Sequence, residues 1–330
     1  VIMSLNIIDD TEKVELGPSK DGTYTGAMGG TELMNKALHD RVDNALLEEF
    51  NIIKSRVRWT DPEKKNILWL HDTWNDPESQ HLKDQESIKR FAKLVFVSNY
   101  QLATYNMGLG VPYHYSTVLR NAIDPITLSK EDKGAEGDVV RIIYHTTPHR
   151  GLNLLYAAVN EIANRIGDKV HLDVFSSFEA YGWKERDQPY EELFQSIREH
   201  PQMSYHGFQP NDVVRDALKK AHIFGYPNTW PETSCIAAIE AMSAGCEIVC
   251  PNHAALPETT GHWARMYQFS EDQNTHANVF ANQLFASVKD YWDENNQKKL
   301  AFAKNWTDNF YNWDLRAAEW TNLLQNLTSD

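Results

Sequence analysis

Short apolar runs separated by helical patterns occur in two successive arrays along this chain, and that alternation restricts its fold more than any other feature. In the first array, residues 66–70 (NILWL), 94–98 (LVFVS) and 117–119 (TVL) read as strands, with helical spacing from Gln101. In the second, residues 139–144 read as a strand. Leu152, Leu155, Val159, Ile162 and Ile166 then recur at helical steps, the mark of an amphipathic helix. Residues 170–175, 203–206, 222–226 and 247–250 read as further strands, with a helix over 235–244 between the last two. Continuous apolar strands alternating with helices predict parallel sheets covered on both faces. The charged stretch 129–138 (SKEDKGAEGD) carries two Gly and is the expected linker between the arrays. The tail, residues 314–327, reads as a helix with Leu315, Ala318, Leu323, Leu324 and Leu327 apolar.

Composition narrows the functional classes. At about 100–200 residues per domain, 330 residues suggest two domains. Apolar residues make up 42%, enough for an ordinary buried core. With 32 basic against 46 acidic residues, the net charge is −14, so nucleic acid and anionic membrane are not expected as whole-surface partners. The first 125 residues hold 14 basic and 18 acidic side chains, which argues against a basic membrane-docking face and peripheral membrane association there. Three Cys (Cys235, Cys246, Cys250) form neither a CxxC pair nor a zinc spacing, so a reducing compartment is the expectation. Residues 1–10 lack the basic and long apolar regions of a secretory signal. No stretch reaches the roughly 18 apolar residues of a membrane span. A cytoplasmic location is expected.

The chemistry concentrates in residues 226–251 (YPNTWPETSCIAAIEAMSAGCEIVCP). A strand end, a Pro-punctuated loop and a helix start follow one another. Glu232 stands just before the helix, and Glu240 lies two helical turns further, among apolar neighbours. A carboxylate embedded there needs partners. The N–H groups of Thr233, Ser234 and Cys235 at the helix start, with the helix dipole, suit an anion. Two hydroxyl-accepting carboxylates beside a phosphate cradle suit a sugar nucleotide, although these residue types also allow a capping Glu232 and a surface Glu240.

The segment resembles the E-x7-E motif of glycosyltransferase family 4, the retaining glycosyltransferases of GT-B fold. Pro231-Glu232, Glu240-Ala241-Met242, Ala244-Gly245 and Leu256-Pro257-Glu258 match it, while many members carry Gly where Cys235 stands. The resemblance spans essentially the whole chain. It implies two Rossmann-like domains facing across a cleft: residues 1–128 on the acceptor side and 139–313 on the donor side, with the final helix, 314–330, crossing back onto the first. It also implies that Glu232 contacts the transferred sugar, that Glu240 holds the ribose, and that Thr233, Ser234 and Cys235 offer N–H groups to the diphosphate.

Three further places carry candidates. In residues 144–155 (YHTTPHRGLNLL), Arg150 sits between a strand's carboxyl end and a helix start, a good position for phosphate. The resemblance matches Arg150 to the family Lys that neutralises the diphosphate. The family's upstream Arg has no Arg counterpart; His145 or Thr146 lies near its place, and His145 and His149 would assist if protonated. In residues 26–38 (GAMGGTELMNKAL), Gly29 and Gly30 precede a helix and permit close approach of backbone to a ligand. The family's Gly-rich loop of the first domain falls here, with Glu32 either beside it or only favouring the helix start. His71, at the end of strand 66–70, matches a His that faces the reacting sugar carbon in many members. Asp72 and Trp74 border it as possible acceptor contacts. His206-Gly207-Phe208 resembles the family's Gly turn, which places Gly207 and Phe208 near the base. Asn121-Ala122-Ile123-Asp124 and Phe310–Asp314 with Trp320 resemble further family segments around the domain crossing.

No DxD motif stands in the loops where metal-dependent glycosyltransferases carry one, and no metal or other cofactor is expected. The expected activity is retaining transfer of a sugar from a nucleotide-diphosphate sugar to a saccharide, protein or small-molecule acceptor. The alternatives are a sugar-nucleotide hydrolase or epimerase on the same fold, and a non-catalytic sugar-nucleotide binder or subunit of a larger complex.

Overall fold

The structure is a computed structural model that describes Leu5, Ile7 and residues 29–329. The terminal reading over residues 1–10 falls largely outside the described residues, as do residues 26–28 of the Gly-bearing segment.

The first sheet holds β1 (Phe50–Lys54), β2 (Lys65–Leu70), β3 (Lys93–Phe96) and β4 (Ser116–Val118), all parallel and in that order. Its helices are α1 (Gly30–Arg41), α2 (Asn44–Leu47), α3 (Gln85–Ile88) and α4 (Asn99–Leu109). Strand alternation splits the apolar run of β2 between two cores. Ile67 and Trp69 pack with Met34, Leu38 and Val95, whereas Leu68 and Leu70 pack with Leu94, Phe96, Leu102 and Tyr105. β1 escapes the sequence reading because Asn51 and Lys54 interrupt its apolar residues, Phe50, Ile52 and Ile53, and as an edge strand it is buried fully only at Phe50.

The second sheet runs β10-β9-β8-β5-β6-β7, all parallel: β5 (Val140–Tyr144), β6 (Val170–Val174), β7 (Met203–Tyr205), β8 (Ile223–Gly225), β9 (Glu247–Pro251) and β10 (Arg265–Tyr267). Between and after these strands come α5 (Leu152–Ile166), α6 (Glu191–Glu199), α7 (Asn211–Lys220), α8 (Ile236–Ser243), α9 (Leu256–Thr260), α10 (Gln273–Asp290), α11 (Glu294–Phe310) and α12 (Trp313–Ser329). The order reverses between β5 and β8. In an open parallel sheet, the carboxyl ends of the strands at such a reversal flank the ligand crevice, because the following helices leave on opposite faces. Three-residue β10 is an edge strand too short to show as a pattern.

The chain crosses between the sheets twice, side by side. Ile123 N–H donates to the Tyr311 carbonyl at 2.7 Å, and Ile123 forms a parallel bridge with Asn312. Past the second crossing, α12 packs on the first sheet, where Trp320 is fully buried with its ring 4.9 Å from Trp69 in an edge contact. The crossing precedes the stretch expected as linker. By Ile126 the backbone is already bonded to Ser243 on α8. Within 129–138, the Lys133 amine reaches the Leu218 and Ala221 carbonyls at the end of α7, and the Lys133 carbonyl accepts from His222. Lys133 alone serves that helix end, while Lys130, Glu131, Glu136 and Asp138 of the same stretch are exposed. No described helix is long and apolar enough to cross a membrane.

Candidate active site

The two loops at the reversal point, after β5 and after β8, carry the charged core of the site. They touch backbone to backbone: Gly151 has φ +104°, and a Cβ there would overlap the Pro227 carbonyl. The Thr229 hydroxyl donates to the His149 carbonyl at 3.3 Å. This close approach brings Arg150 and Glu232 together although 82 residues separate them, with Arg150 Nη1 2.6 Å from Glu232 Oε1. Tyr226, at the end of β8, donates its hydroxyl to the same oxygen. Glu232 is 5% exposed, and its Oε2 has no bonded partner among the described residues. Burial opposes the charge on Arg150, but Glu232 outweighs it and the guanidinium stays cationic. Burial, with Glu232 adding to it, pushes the Tyr226 phenol well up, so Tyr226 acts as a donor.

Glu240 sits two turns into α8, 6% exposed. Its Oε1 accepts from Arg215 Nη1 at 2.9 Å and from Asn211 Nδ2 at 3.2 Å, both on α7. Burial raises its pKa, while Arg215 and Asn211 pull the other way.

The cradle at the helix start differs from the sequence reading. Helix geometry begins at Ile236 with Cys235 as N-cap, so Thr233 and Ser234 belong to the preceding loop. Thr233 faces the first sheet. Its hydroxyl donates to the His71 carbonyl at 2.7 Å, and its own carbonyl accepts from the Ser98 hydroxyl at 2.6 Å. Cys235 is buried, and burial pushes its thiol well up, which leaves an inert side chain at the cap.

His71 is held at the carboxyl end of β2, where Ser55 Oγ accepts its N–H at 2.9 Å. Burial, with Lys54 adding to it, pushes its pKa down to about 3. The same holds for His149, down to about 3 by burial with Arg150 and Arg186 behind it, and for His145, down to about 4 by burial. Protonation, the condition on which His145 or His149 would assist, is opposed by burial at both and by the neighbouring guanidinium groups at His149. His145 also turns away from the loops. Its Nε2–H donates to the Ala237 carbonyl at 3.1 Å and its ring lies 4.7 Å from Phe224, bracing the start of α8.

Gly29 and Gly30 face the second sheet's elements across the cleft. A Cβ on Gly29 would lie 2.6 Å from the Tyr181 ring, and one on Gly30 would lie 3.0 Å from Ile236. Gly207 (φ +64°) and Phe208 follow β7 and line a separate cavity of about 520 Å³ with Ser177, Asp187, Phe194 and Tyr205. They do not join Arg150 and Glu232. Several buried polar atoms around the cleft have no bonded partner among the described residues: His71 Nε2, His145 Nδ1, Thr147 Oγ1, both ring nitrogens of His149, Arg150 Nε and Ser176 Oγ. Buried polar groups are normally satisfied, so a polar ligand entering here would find open donors and acceptors.

Sequence reasoning missed Tyr226, Tyr181, Asn211 and Arg215. Tyr226 lies within the motif segment and could have been singled out there; the others stand in unremarkable helical or loop sequence. It also left Glu258 without a role. This carboxylate, on α9, accepts from the N–H groups of Asn99 and Tyr100 at 2.9 Å, from Asn99 Nδ2 at 3.1 Å and from Arg120 at 2.9 Å. A side chain of the second sheet's array thus caps the N-terminus of α4 in the first.

Comparison with known proteins agrees with this geometry. Among solved structures, a glycosyltransferase from Rickettsia africae ESF-5 aligns with TM-score 0.67 at 13% identity, covering 95% of this chain and 84% of that one. Anabaena HepE in complex with UDP-glucose aligns with TM-score 0.62 at 13% identity, covering 81% of this chain and 72% of that one. Sucrose-phosphate synthase from Thermosynechococcus elongatus aligns with TM-score 0.61 at 14% identity, over 81% and 68%. These likenesses show the GT-B fold. No curated protein matches the sequence. The family model described as "Glycosyl transferases group 1" matches residues 127–302, which begin at the first crossing and contain both reversal-point loops. That match takes in more than half of the chain, and the chain belongs to the group 1 glycosyl transferases.

Proposed function

We propose that this glycosyltransferase moves a sugar from a nucleotide-diphosphate sugar to an acceptor hydroxyl with retention at the anomeric carbon and without a metal. The observation that carries the reading is the pair Glu232 and Glu240. Both are buried on one loop–helix segment at the sheet's reversal point, and each has one carboxylate oxygen bonded to protein and the other unbonded among the described residues. Glu232 accepts from hydroxyls of the transferred sugar, and Glu240 accepts from the ribose. The N–H groups of residues 233–235, the start of α8 and Arg150 meet the diphosphate. His71 stands on the acceptor side of the reacting carbon as a neutral imidazole. Gly29 and Gly30 border the diphosphate, and Gly207 and Phe208 contribute to the base site.

In the proposed step, the acceptor oxygen attacks on the face from which the diphosphate departs. The bond from the anomeric carbon to the phosphate oxygen breaks, the bond to the acceptor oxygen forms, and the acceptor proton passes to the leaving phosphate. Arg150 stabilises the charge that develops there. Closure of the cleft around both substrates excludes water. HepE, which shares the fold, was solved with UDP-glucose, which supports a nucleotide-sugar donor. The net acidic first half favours a saccharide, protein or small-molecule acceptor over a lipid. The proposed setting is the reducing cytoplasm, which three free, buried cysteines suit.

The test is a thermal-shift panel of UDP, GDP, ADP, CMP and their common sugar conjugates on the wild type and Glu240→Ala. One nucleotide series is expected to stabilise the wild type, by about 2.7 kcal/mol at 100 times its Kd, and to lose that effect in the variant. No shift with any nucleotide overturns the donor reading, and an inverted product overturns retention.

A further inference from the structure

The bonds that hold Glu240 lead out of the donor site. Arg215 is bidentate: Nη1 lies 2.9 Å from Glu240 Oε1, and Nη2 lies 2.5 Å from the carbonyl oxygen of Asp124. Asp124 directly follows Ile123, whose backbone pairs the two chain crossings. Its carboxylate is in turn held by Arg41 Nη2 at 2.8 and 2.7 Å, from the last turn of α1 on the first sheet. One line of charged groups therefore runs from Glu240 on α8, through Arg215 on α7, to the crossing, and on to the first sheet. A cavity of about 340 Å³ opens beside it, lined by Pro125, Ile126 and Thr127 of the crossing and by Asn211, Asp212 and Arg215 of α7. The guanidinium thus sits next to free space beside the chain crossing.

We infer that Arg215 is a positioning residue that presents Glu240 to the nucleotide's ribose and ties that carboxylate to the interdomain crossing, so that nucleotide occupancy and the angle between the two halves are coupled. The inference rests on the donor-site reading above. Its physical basis is the planar fork of Arg, which holds two acceptors in fixed directions at once; the single ammonium of Lys does not reproduce this. Ribose hydroxyls that bond Glu240 redistribute charge on the carboxylate and alter its hold on Nη1. Because Nη2 belongs to the same rigid group, the contact at Asp124 must respond.

The experiment measures two quantities on the intact chain, with UDP, GDP, ADP and CMP tried separately. One is the nucleotide Kd by calorimetry; the other is the change in radius of gyration on nucleotide addition by small-angle scattering. Wild type, Arg215→Gln and Arg215→Lys are compared, with folding checked by circular dichroism. Wild type is expected to bind one of the four and to change its radius. Arg215→Gln is expected to lose at least ~tenfold in affinity together with the radius change. Arg215→Lys is expected to recover affinity without recovering the radius change, because one ammonium can pair with Glu240 or reach Asp124 but not hold both. If wild type binds a nucleotide and Arg215→Gln matches it in both readouts, or Arg215→Lys restores both, the inference is overturned while the donor reading stands. If wild type binds none of the four, the donor reading itself fails and takes the inference with it.

Discussion

The two walls of the cleft are built from different material. On the second sheet's side the contacts are charged side chains taken out of water: Arg150 against Glu232, and Arg215 against Glu240. On the first sheet's side they are mostly backbone: Gly29 and Gly30, the His71 carbonyl, and the N–H groups of Asn99 and Tyr100. Desolvated charges are costly to leave unpaired and strong when paired, so energy and chemistry concentrate on the second wall. Backbone groups and glycines contribute shape and registration, which many sequences can supply. The difference explains why the residues carrying the donor reading all come from one wall, whereas the first sheet's wall has few side chains committed to an interaction.

The contrast breaks most clearly at Arg150. Arg150→Ala leaves Glu232 buried with only the Tyr226 hydroxyl, and loss of one partner of a buried ion pair costs about 3–5 kcal/mol. Donor turnover, followed as released nucleotide diphosphate, is expected to fall by ~10³-fold, with a clear drop in Tm. Unchanged turnover and Tm would remove the distinction between the walls. Glu258→Gln comes next. Glu258 belongs to the charged wall and grips backbone of the other, and its charge-assisted bonds to Asn99, Tyr100 and Arg120 are weakened by the amide. A loss of ~2 kcal/mol in the bond set is expected, read as a raised donor KM with kcat less affected; equal falls in both with KM constant would place Glu258 in the chemistry instead. The smallest effect belongs to the shape wall. Gly29→Ala drives a methyl into the Tyr181 ring, at about 1–2 kcal/mol of overpacking. Because Gly29 has an ordinary φ of −71°, the strain is steric alone, and the double variant Gly29→Ala/Tyr181→Ala is expected to recover the lost Tm. A double variant no more stable than the single one would show that the two residues do not meet.

Much of the fold was legible because its strands announce themselves. Residues 67–70 and 142–144 are apolar on both faces and buried on both, which outweighs the exposed Arg141 near the start of β5. Helix α5 lies where its 3.6-residue pattern placed it. β1 and β10 were not legible, since half-buried edge strands of three to five residues carry too little pattern. The stretch 129–138 misled because a charged, Gly-bearing segment suits a linker and an anchored helix cap equally well, and only Lys133's contacts distinguish them. In the site, Glu232, Glu240 and Arg150 stood out because their segments resemble family motifs, since spacing alone also allowed a cap, a surface Glu and a solvated Arg. Arg215, Asn211, Glu258 and Tyr181 did not, because their importance lies in partners 25 or more residues away.

The sequence by itself determined the α/β architecture, the segment that bears the two carboxylates and the family to which the chain belongs. Each of these depends on near neighbours: apolar runs set strands, and residue spacing places carboxylates along one loop and helix. The tertiary structure alone decided that Arg150 reaches Glu232 and that His145 turns to brace a helix. It also decided that Thr233 bonds the opposite wall and that Glu240 is tied through Arg215 to the crossing. Such pairings follow from how the β5 and β8 loops and helices α7 and α8 come to face one another. That arrangement is fixed by the burial of the whole sheet and not by any local stretch of residues.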